Sequence, residues 1–214
     1  MVDKNAVRGS YDELADIHAS QRTDDDQGME ILTQFLDSIS ESDSVLDAGC
    51  GQGTPVLSQI STSTNAVGVD FSRGQLKLAV DNAPDAFLAQ GDMTTLPFAT
   101  STFDAIVAYW SLIHVPMDDH QTVIDEFSRV LQPGGRVLLC EGTNEWIGEN
   151  PDWLDSGIKM EWNIAGAETT RAQLLNTGFT IDNEWGALSS LEADRKNETD
   201  DGSPWTFFSA RLTT

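Results

Sequence analysis

A three-layer α/β domain, with a mostly parallel sheet covered by helices on both faces, is the fold this sequence predicts. Three observations carry the reading. Short apolar runs alternate with segments of helical periodicity through most of the chain. The run Val45-Leu46-Asp47-Ala48 breaks into Gly49-Cys50-Gly51-Gln52-Gly53, whose glycines at alternate positions suit a strand turning tightly into a helix. Acidic residues stand at or just past the ends of successive runs, at Asp47, Asp70 and Asp92, where an open α/β sheet places its ligand.

Taken in order, residues 1–28 are polar, with a helical patch at Tyr11 to Ser20 and a break at Thr23 to Gly28, and are expected to form a cap outside the sheet. The rest, 29–214, reads as a single domain, since 214 residues are enough for one buried core and short for two. Met29 to Ile39 sets Ile31, Leu32, Phe35, Leu36 and Ile39 on one helical face. A first strand begins near Ser44, and Ala66-Val67-Gly68-Val69 is a second, ending at Asp70. Ala86 to Gln90 is a third, followed by Gly91-Asp92-Met93; Phe103 to Trp110 is a fourth; Gly135 to Cys140 is a fifth, after the breaker Pro133-Gly134. Ser72 is expected to cap the helix after the second strand, and Asp118 or Asp119 the helix bearing Val123, Ile124, Phe127, Val130 and Leu131. From Thr143 to Gly166 regular periodicity is lost although Trp146, Trp153, Met160 and Trp162 are present, so 143–166 reads as a long loop, functional or disordered, whose aromatic residues form a lid over a substrate or anchor the loop to the core. Glu168 to Asn176 is again helical, and Gly178 to Trp185 and Trp205 to Leu212 are strands joined by a charged loop, Gly186 to Pro204.

Composition narrows the function. Thirty-five acidic residues against twelve Lys and Arg give a net charge of -23, a surface that repels phosphate backbones and argues against a nucleic-acid partner. Such repulsion destabilises a compact chain unless salt screens it, so a salt-rich cytosol, as in a halophile, is expected. The four lysines and the clusters Asp24-Asp25-Asp26 and Asp118-Asp119 agree with this. Two cysteines supply neither a disulfide framework nor a thiolate cluster, and no metal-ligating set stands out. The start Met1-Val2-Asp3-Lys4 is no signal peptide, and no apolar run is long enough to span a bilayer. These features lead to the expectation of a soluble cytoplasmic protein that binds a polar small molecule at the glycine turn, with Asp70 placed to accept hydrogen bonds from a ribose diol.

Four segments in order resemble the class I S-adenosylmethionine-dependent methyltransferases: Val45 to Gly53; Val67-Gly68-Val69-Asp70; Gly91-Asp92-Met93 with Leu96-Pro97-Phe98 and Phe103-Asp104; and Leu131-Gln132-Pro133-Gly134-Gly135. The resemblance covers roughly residues 40 to 142. It implies a Rossmann-like three-layer fold with a seven-stranded, mostly parallel sheet, the last two strands forming an antiparallel edge hairpin. It also implies S-adenosyl-L-methionine as cofactor and a small-molecule methyl acceptor. On this resemblance Asp47 helps place the methionyl ammonium, and Gly49, Gly51 and Gly53 let the backbone approach the amino-acid portion. Asp70 takes the ribose hydroxyls with Phe71 beside it, Asp92 and Met93 border adenine, and Tyr11 closes the cap over the cofactor.

Competing readings accompany several of these residues. Asp47 could cap its own turn, Met93 could be plain core, and Asp104 is assigned a structural role. Trp110 and Ser111 could line the methyl-transfer site, or Trp110 could serve sheet packing. After the fourth strand, amino-methylating members carry an Asn-Pro-Pro-Tyr type motif, whereas this chain has Tyr109-Trp110-Ser111-Leu112-Ile113-His114. The departure points toward small-molecule acceptors and makes His114 either a general base for a hydroxyl or a histidine hydrogen-bonded behind the loop. His18 could approach the same cleft, and His120 belongs to a helix start. Two other classes stay in view: a protein that binds S-adenosylmethionine without transferring its methyl, and a nicotinamide-dependent oxidoreductase. The latter is disfavoured because its G-x-G-x-x-G spacing differs from the G-x-G-x-G found here.

Overall fold

The computed structural model describes residues 3–21, 27–187 and 204–213. Its frame is a seven-stranded sheet in the order β3-β2-β1-β4-β5-β9-β8. The strands are β1 (Ser44–Ala48), β2 (Asn65–Asp70), β3 (Phe87–Gln90), β4 (Phe103–Ala108), β5 (Leu131–Gly142), β8 (Phe179–Ala187) and β9 (Trp205–Leu212). The first five pair in parallel, and β9 runs antiparallel to both β5 and β8, which gives the expected edge hairpin. The β1 register, Leu46 opposite Val67 on one side and Ile106 on the other, brings the carboxyl ends of β1, β2 and β4 to one edge.

Alternation along the central strands divides the core between the two faces. Leu46, Ile106, Val137, Leu139 and Phe208 face α5 (His120–Val130) and α6 (Ala167–Asn176), packing against Val123, Ile124, Phe127 and Leu174. Val45, Ala105, Val107, Leu138 and Phe207 face α2 (Gln27–Leu36) and α3 (Val56–Ser61), packing against Ile31, Leu32, Phe35, Leu57 and Ile60. Ser72 caps α4 (Arg73–Asn82) as expected, its hydroxyl oxygen accepting from Gln75 N at 3.1 Å.

The structure departs from the sequence reading at several places. The segment 143–166 contains a hairpin, β6 (Trp146–Asn150) against β7 (Met160–Ile164), with a short 3-10 turn at Trp153–Asp155 between the strands. These strands pair only with each other, and β6 is mostly exposed, so no alternation of polar and apolar residues marks it. β4 ends at Ala108, because Trp110 takes left-handed backbone (φ 50) and turns the chain away. β5 begins at Leu131, with Pro133-Gly134-Gly135 bulged between the pairings of Leu131 to Phe103 and Arg136 to Ala105. Asp119 stands at the N-cap position of α5 but in helical backbone and without a side-chain cap bond, since a 3-10 turn at Met117–Asp119 leads directly into the helix. Asp104 has a structural bond, accepting from Ser44 N at 2.9 Å at the amino end of the sheet. The acidic run 24–26 and most of the 186–204 loop lie outside the described residues.

A third, smaller core lies over the carboxyl ends of the strands. There α1 (Lys4–Gln21) contributes Val7 and Leu14, and the 143–166 segment contributes Trp153, Leu154 and Met160, with Tyr11, Phe71 and Trp162 packed against them. Polar bonds fix this layer at two points. Asp12 Oδ1 accepts from Gly74 N and from Ser72 Oγ, both at 2.7 Å, at the start of α4, and Ser10 Oγ donates to Lys159 O at 2.7 Å. Burial pushes the Asp12 carboxyl up, but these bonds from Gly74 and Ser72, with the charge of Arg8, outweigh it and hold it below the usual carboxylate range. Among the described residues no helix is long and apolar enough to cross a membrane.

Candidate active site

The turn after β1 is folded back on β2, with Gly49 N and Cys50 N both donating to Val69 O, at 2.8 and 3.0 Å. Gly49 has φ +81, and a β-carbon there would collide with the side chain of Ser111 arriving from the end of β4. Gly51 also has positive φ and donates its N–H to Asp70 Oδ2 at 2.9 Å. Gly53 also has positive φ (+91), and a β-carbon there would press on Ala79 at 3.1 Å, so its bareness serves the packing of α4 as well.

Asp70 ends β2 with Oδ2 on Gly51 N and Oδ1 on Ser72 N at 2.8 Å, tying the glycine turn to the start of α4. Each carboxylate oxygen has a second lone pair, so both stay able to accept from a ligand. Burial raises this carboxyl to about 6, against the lowering effect of the bonds from Ser72 and Gly51.

Gly49, Gly51, Asp70, Phe71 and Gln75 form one part of a cleft enclosing about 680 Å³ including its open mouth, within the range of small-molecule sites. Gly91, Asp92 and Met93 line it further along, and Tyr11, His18, Trp110, Ser111 and His114 also line it. Asp47 is buried at the carboxyl end of β1, behind the turn, and neither it nor Gly53 lines the cleft. Asp92 accepts from Thr94 N and Thr94 Oγ1 through one oxygen and from Lys4 Nζ at 2.9 Å through the other. Burial raises its carboxyl, but the bonds from Thr94 and Lys4 prevail and hold it below the usual range.

The histidine predicted after β4 meets the tyrosine predicted in the cap. His114 Nε2 lies 2.8 Å from Tyr11 Oη, and His114 Nδ1 faces the backbone oxygen of Glu161 at 3.3 Å. A carbonyl can only accept, so in the neutral ring Nδ1 carries the proton and Nε2 receives the Tyr11 hydroxyl. Burial lowers His114 to about 4, outweighing the bond to Glu161 O, so the ring is neutral near pH 7. His18 and Trp153 pack edge-on to the Tyr11 ring, at centroid distances of 5.4 and 5.8 Å. The Trp110 indole N–H has no hydrogen-bond acceptor among the described residues.

Sequence reasoning missed three features. Gln75 is 1% exposed and lines the cleft, yet neither its oxygen nor its nitrogen has a partner among the described residues. Its signal was a polar residue one turn into an otherwise ordinary amphipathic helix. Lys4 is one of only four lysines, and its scarcity was the available hint. The third is a wholly buried pair behind the His114 loop: His120 Nδ1 and Glu141 Oε2 stand 3.7 Å apart, and His120 Nε2 lies 3.0 Å from Val115 O. Burial raises Glu141 to about 8, against bonds from Gly142 and Ala165, so at neutral pH it is protonated.

Comparison with known proteins adds what the chain is similar to. Residues 46–139 match the model of a methyltransferase domain. A demethylmenaquinone methyltransferase of Streptomyces avermitilis is 39% identical over 97 residues, 45% of this chain and 41% of the relative. The methyltransferase GfsG of Streptomyces halstedii is 38% identical over 120 residues, 52% of this chain and 42% of the relative. The chain thus spans less than half the length of these relatives. A solved S-adenosylmethionine-dependent methyltransferase from Methanosarcina mazei superposes with a TM-score of 0.67 at 22% identity, covering 83% of this chain and 96% of the other, a likeness of fold. Over residues 46–139 the chain is thus similar to methyltransferase domains, and its fold is like that of a solved S-adenosylmethionine-dependent methyltransferase.

The cleft has contacts that suit S-adenosylmethionine. Bare backbone at Gly49 and Gly51, a buried amide at Gln75 still lacking partners, and carboxylates at Asp70 and Asp92 offer a polar amino-acid group, a ribose and an exocyclic amine the contacts each needs. Among the described residues no group of three His, Cys, Asp or Glu is placed to hold a metal ion.

Proposed function

We propose that the protein transfers a methyl group from S-adenosylmethionine to a small-molecule acceptor. The observation that carries this reading is the convergence of Asp70, Asp92 and the Gly49–Gly51 turn on a single cleft that the Tyr11–His114 pair also lines. In this proposal Asp70 and Gln75 hold the ribose, Phe71 covers it, and Asp92 with Met93 borders the adenine. The glycine turn receives the methionyl end, with Asp47 acting from behind it and Gly53 setting the turn against α4. When bound, the cofactor supplies an electrophilic methyl carried on a positively charged sulfur.

The chain's own work is then alignment and exclusion of water. Tyr11, His18 and Trp110 wall the cleft with aromatic surface, and holding the acceptor in line can supply roughly 7 to 11 kcal/mol of the barrier. The net charge of -23 favours a cationic sulfur and disfavours a nucleic-acid acceptor. In the same reading residues 1–28 act as a cap and 143–166 as an acceptor lid, Trp153 and Trp162 meeting edge to face at 5.6 Å in the small core with α1. With only two cysteines in the sequence, Cys50 and Cys140, the composition suits a reducing cytoplasm.

Titration calorimetry with S-adenosylhomocysteine, followed by mass spectrometry of acceptor mixtures incubated with S-adenosylmethionine, tests the proposal. Binding and a mass gain of one methylene are expected. Absence of binding would refute the reading, and binding without any methylated product would turn it into that of a cofactor-sequestering protein.

A further inference from the structure

Resting on the methyl-transfer reading for the work the cleft does, we infer that His120 and Glu141, which stand behind the cleft and do not line it, are positioning residues that hold its Ser111–Val115 wall against the 143–166 segment. Ser111, His114 and Val115 line the cleft, and the 3-10 turn Leu112–His114 carries this wall between β4 and α5. So short a turn has few bonds of its own. His114 N donates to Ser111 O at 3.3 Å, and Val115 N to Leu112 O at 2.9 Å. Its place is set from two sides.

On one side is β7. Glu161 O accepts from His114 Nδ1 at 3.3 Å, and two residues on, Asn163 Oδ1 accepts from Met117 N at 3.0 Å. Two residues further, Ala165 donates its N–H to the Glu141 carboxyl. The segment therefore meets the wall directly at 161 and 163, and meets the buried pair at 165.

On the other side is the pair itself. A carbonyl only accepts, so His120 Nε2, 3.0 Å from Val115 O, carries the ring proton, and Leu112 O also draws on this ring. Nδ1 is left with a lone pair, 3.7 Å from Glu141 Oε2. Glu141 Oε1 accepts from Gly142 N at 3.0 Å, so the proton that burial keeps on this acid sits on Oε2 and faces that lone pair. Neither Nδ1 nor Oε2 has a hydrogen-bond partner among the described residues, and a movement of less than about 1 Å brings the two into bonding range. Donors thus point one way, from Ala165 and Gly142 through Glu141 and His120 to Val115 O. Apolar residues of the same size would fill this wholly buried space at lower cost than two ionisable groups, so packing alone does not account for the pair.

The test follows the His114 ring by nitrogen NMR, with amide hydrogen exchange and calorimetry of S-adenosylhomocysteine, in wild type, Glu141→Gln, Glu141→Leu, His120→Gln and His120→Asn. Glu141→Gln keeps an acceptor for Gly142 N and offers an N–H to His120, and His120→Gln extends an N–H to Val115 O where His120→Asn falls short. Both Gln variants are expected to show the wild-type His114 signals, with the proton on Nδ1. Glu141→Leu and His120→Asn are expected to lose that single pattern and to exchange the amides of His114, Val115 and Met117 at least about tenfold faster. In both, amides of β1 and β2 should be unchanged and S-adenosylhomocysteine should bind within about threefold of wild type. Wild-type His114 signals in His120→Asn, or equal disturbance by the Gln and Leu replacements of Glu141, would overturn the inference. So would faster exchange spread evenly over all amides, the mark of a pair that only stabilises the fold. If Glu141→Leu does not fold, the contrast between His120→Gln and His120→Asn decides. A wild type that does not bind S-adenosylhomocysteine would remove the methyl-transfer reading, and the His114 signals would still decide whether the pair positions the wall.

Discussion

Cofactor affinity should depend on pH through Asp70, and the structure sets both the midpoint and the size of the effect. Burial raises this carboxyl from 3.8 to about 6. The folded protein therefore holds the proton more firmly than the unfolded chain, and stability from this group, full below 3.8, is lost as the pH rises through about 6. A ribose diol reverses the preference, because two hydroxyl donors favour the ionised carboxylate. At about pH 5, one unit below the midpoint, only about a tenth of the carboxylates are ionised, so affinity falls about tenfold, or about 1.4 kcal/mol, from its plateau above pH 7. Asp70→Asn should weaken binding by roughly 1 to 3 kcal/mol at neutral pH and flatten the profile. Calorimetric titration of S-adenosylhomocysteine from about pH 5 to about pH 7.5, at fixed ionic strength, reads both effects. The other groups with raised or lowered values near the cleft fall away from this window, His114 to about 4 and Glu141 to about 8. A wild-type profile as flat as the variant's would refute the assignment of Asp70 to the ribose.

Three further outcomes are expected. Glu141, wholly buried and raised to about 8, contributes stability that is full below its ordinary 4.5 and is lost as the pH rises through 8. Glu141→Gln should therefore resist urea better than wild type at about pH 9, by up to about 5 kcal/mol, and show little difference near pH 4.5; a variant weaker at both would contradict the protonated state. Gly49→Ala sets a β-carbon against Ser111 in left-handed backbone, and should destabilise the fold by about 1 to 3 kcal/mol and weaken S-adenosylhomocysteine by tenfold or more, whereas wild-type affinity would show that the turn does not meet the cofactor. With a net charge of -23, thermal unfolding should move upward between low and molar salt, and an unchanged midpoint would discard the halophilic expectation.

Much of the sheet was legible because its central strands are buried on both faces and read as short unbroken apolar runs between glycine and proline punctuation. Ser72 was legible for the same local reason, a hydroxyl directly before a helix. The β6–β7 hairpin was not, since its strands pair only with one another and leave Trp146 and Ile147 exposed, so burial imposed no period on them. The extension of α1 back to Lys4 escaped because its support comes from contacts distant in sequence, Lys4 to Asp92 and Asp12 to Ser72 and Gly74. Within the candidate site, Asp70, Gly49 and Gly51 were readable from spacing and Asp92 through the family resemblance, while Gly53 does not line the cleft. Tyr11 and His114 could be named separately, but their bond joins residues 103 positions apart and only folding discloses it. Gln75 carried almost no signal, since an amide on a helix is ordinary until the helix is seen to bury it.

The small core joining α1 to the β6–β7 segment has a kinetic consequence. Val7 and Leu14 share one apolar cluster with Trp153 and Met160, and Ser10 is tied to Lys159, so α1 and the 143–166 segment are packed as one layer over the cleft. Under the methyl-transfer proposal, donor and acceptor would share the opening beneath this layer, and displacing the layer for one product would expose the other. Turnover should consequently be paced by that joint release, with each cycle emptying the chamber completely before the next begins.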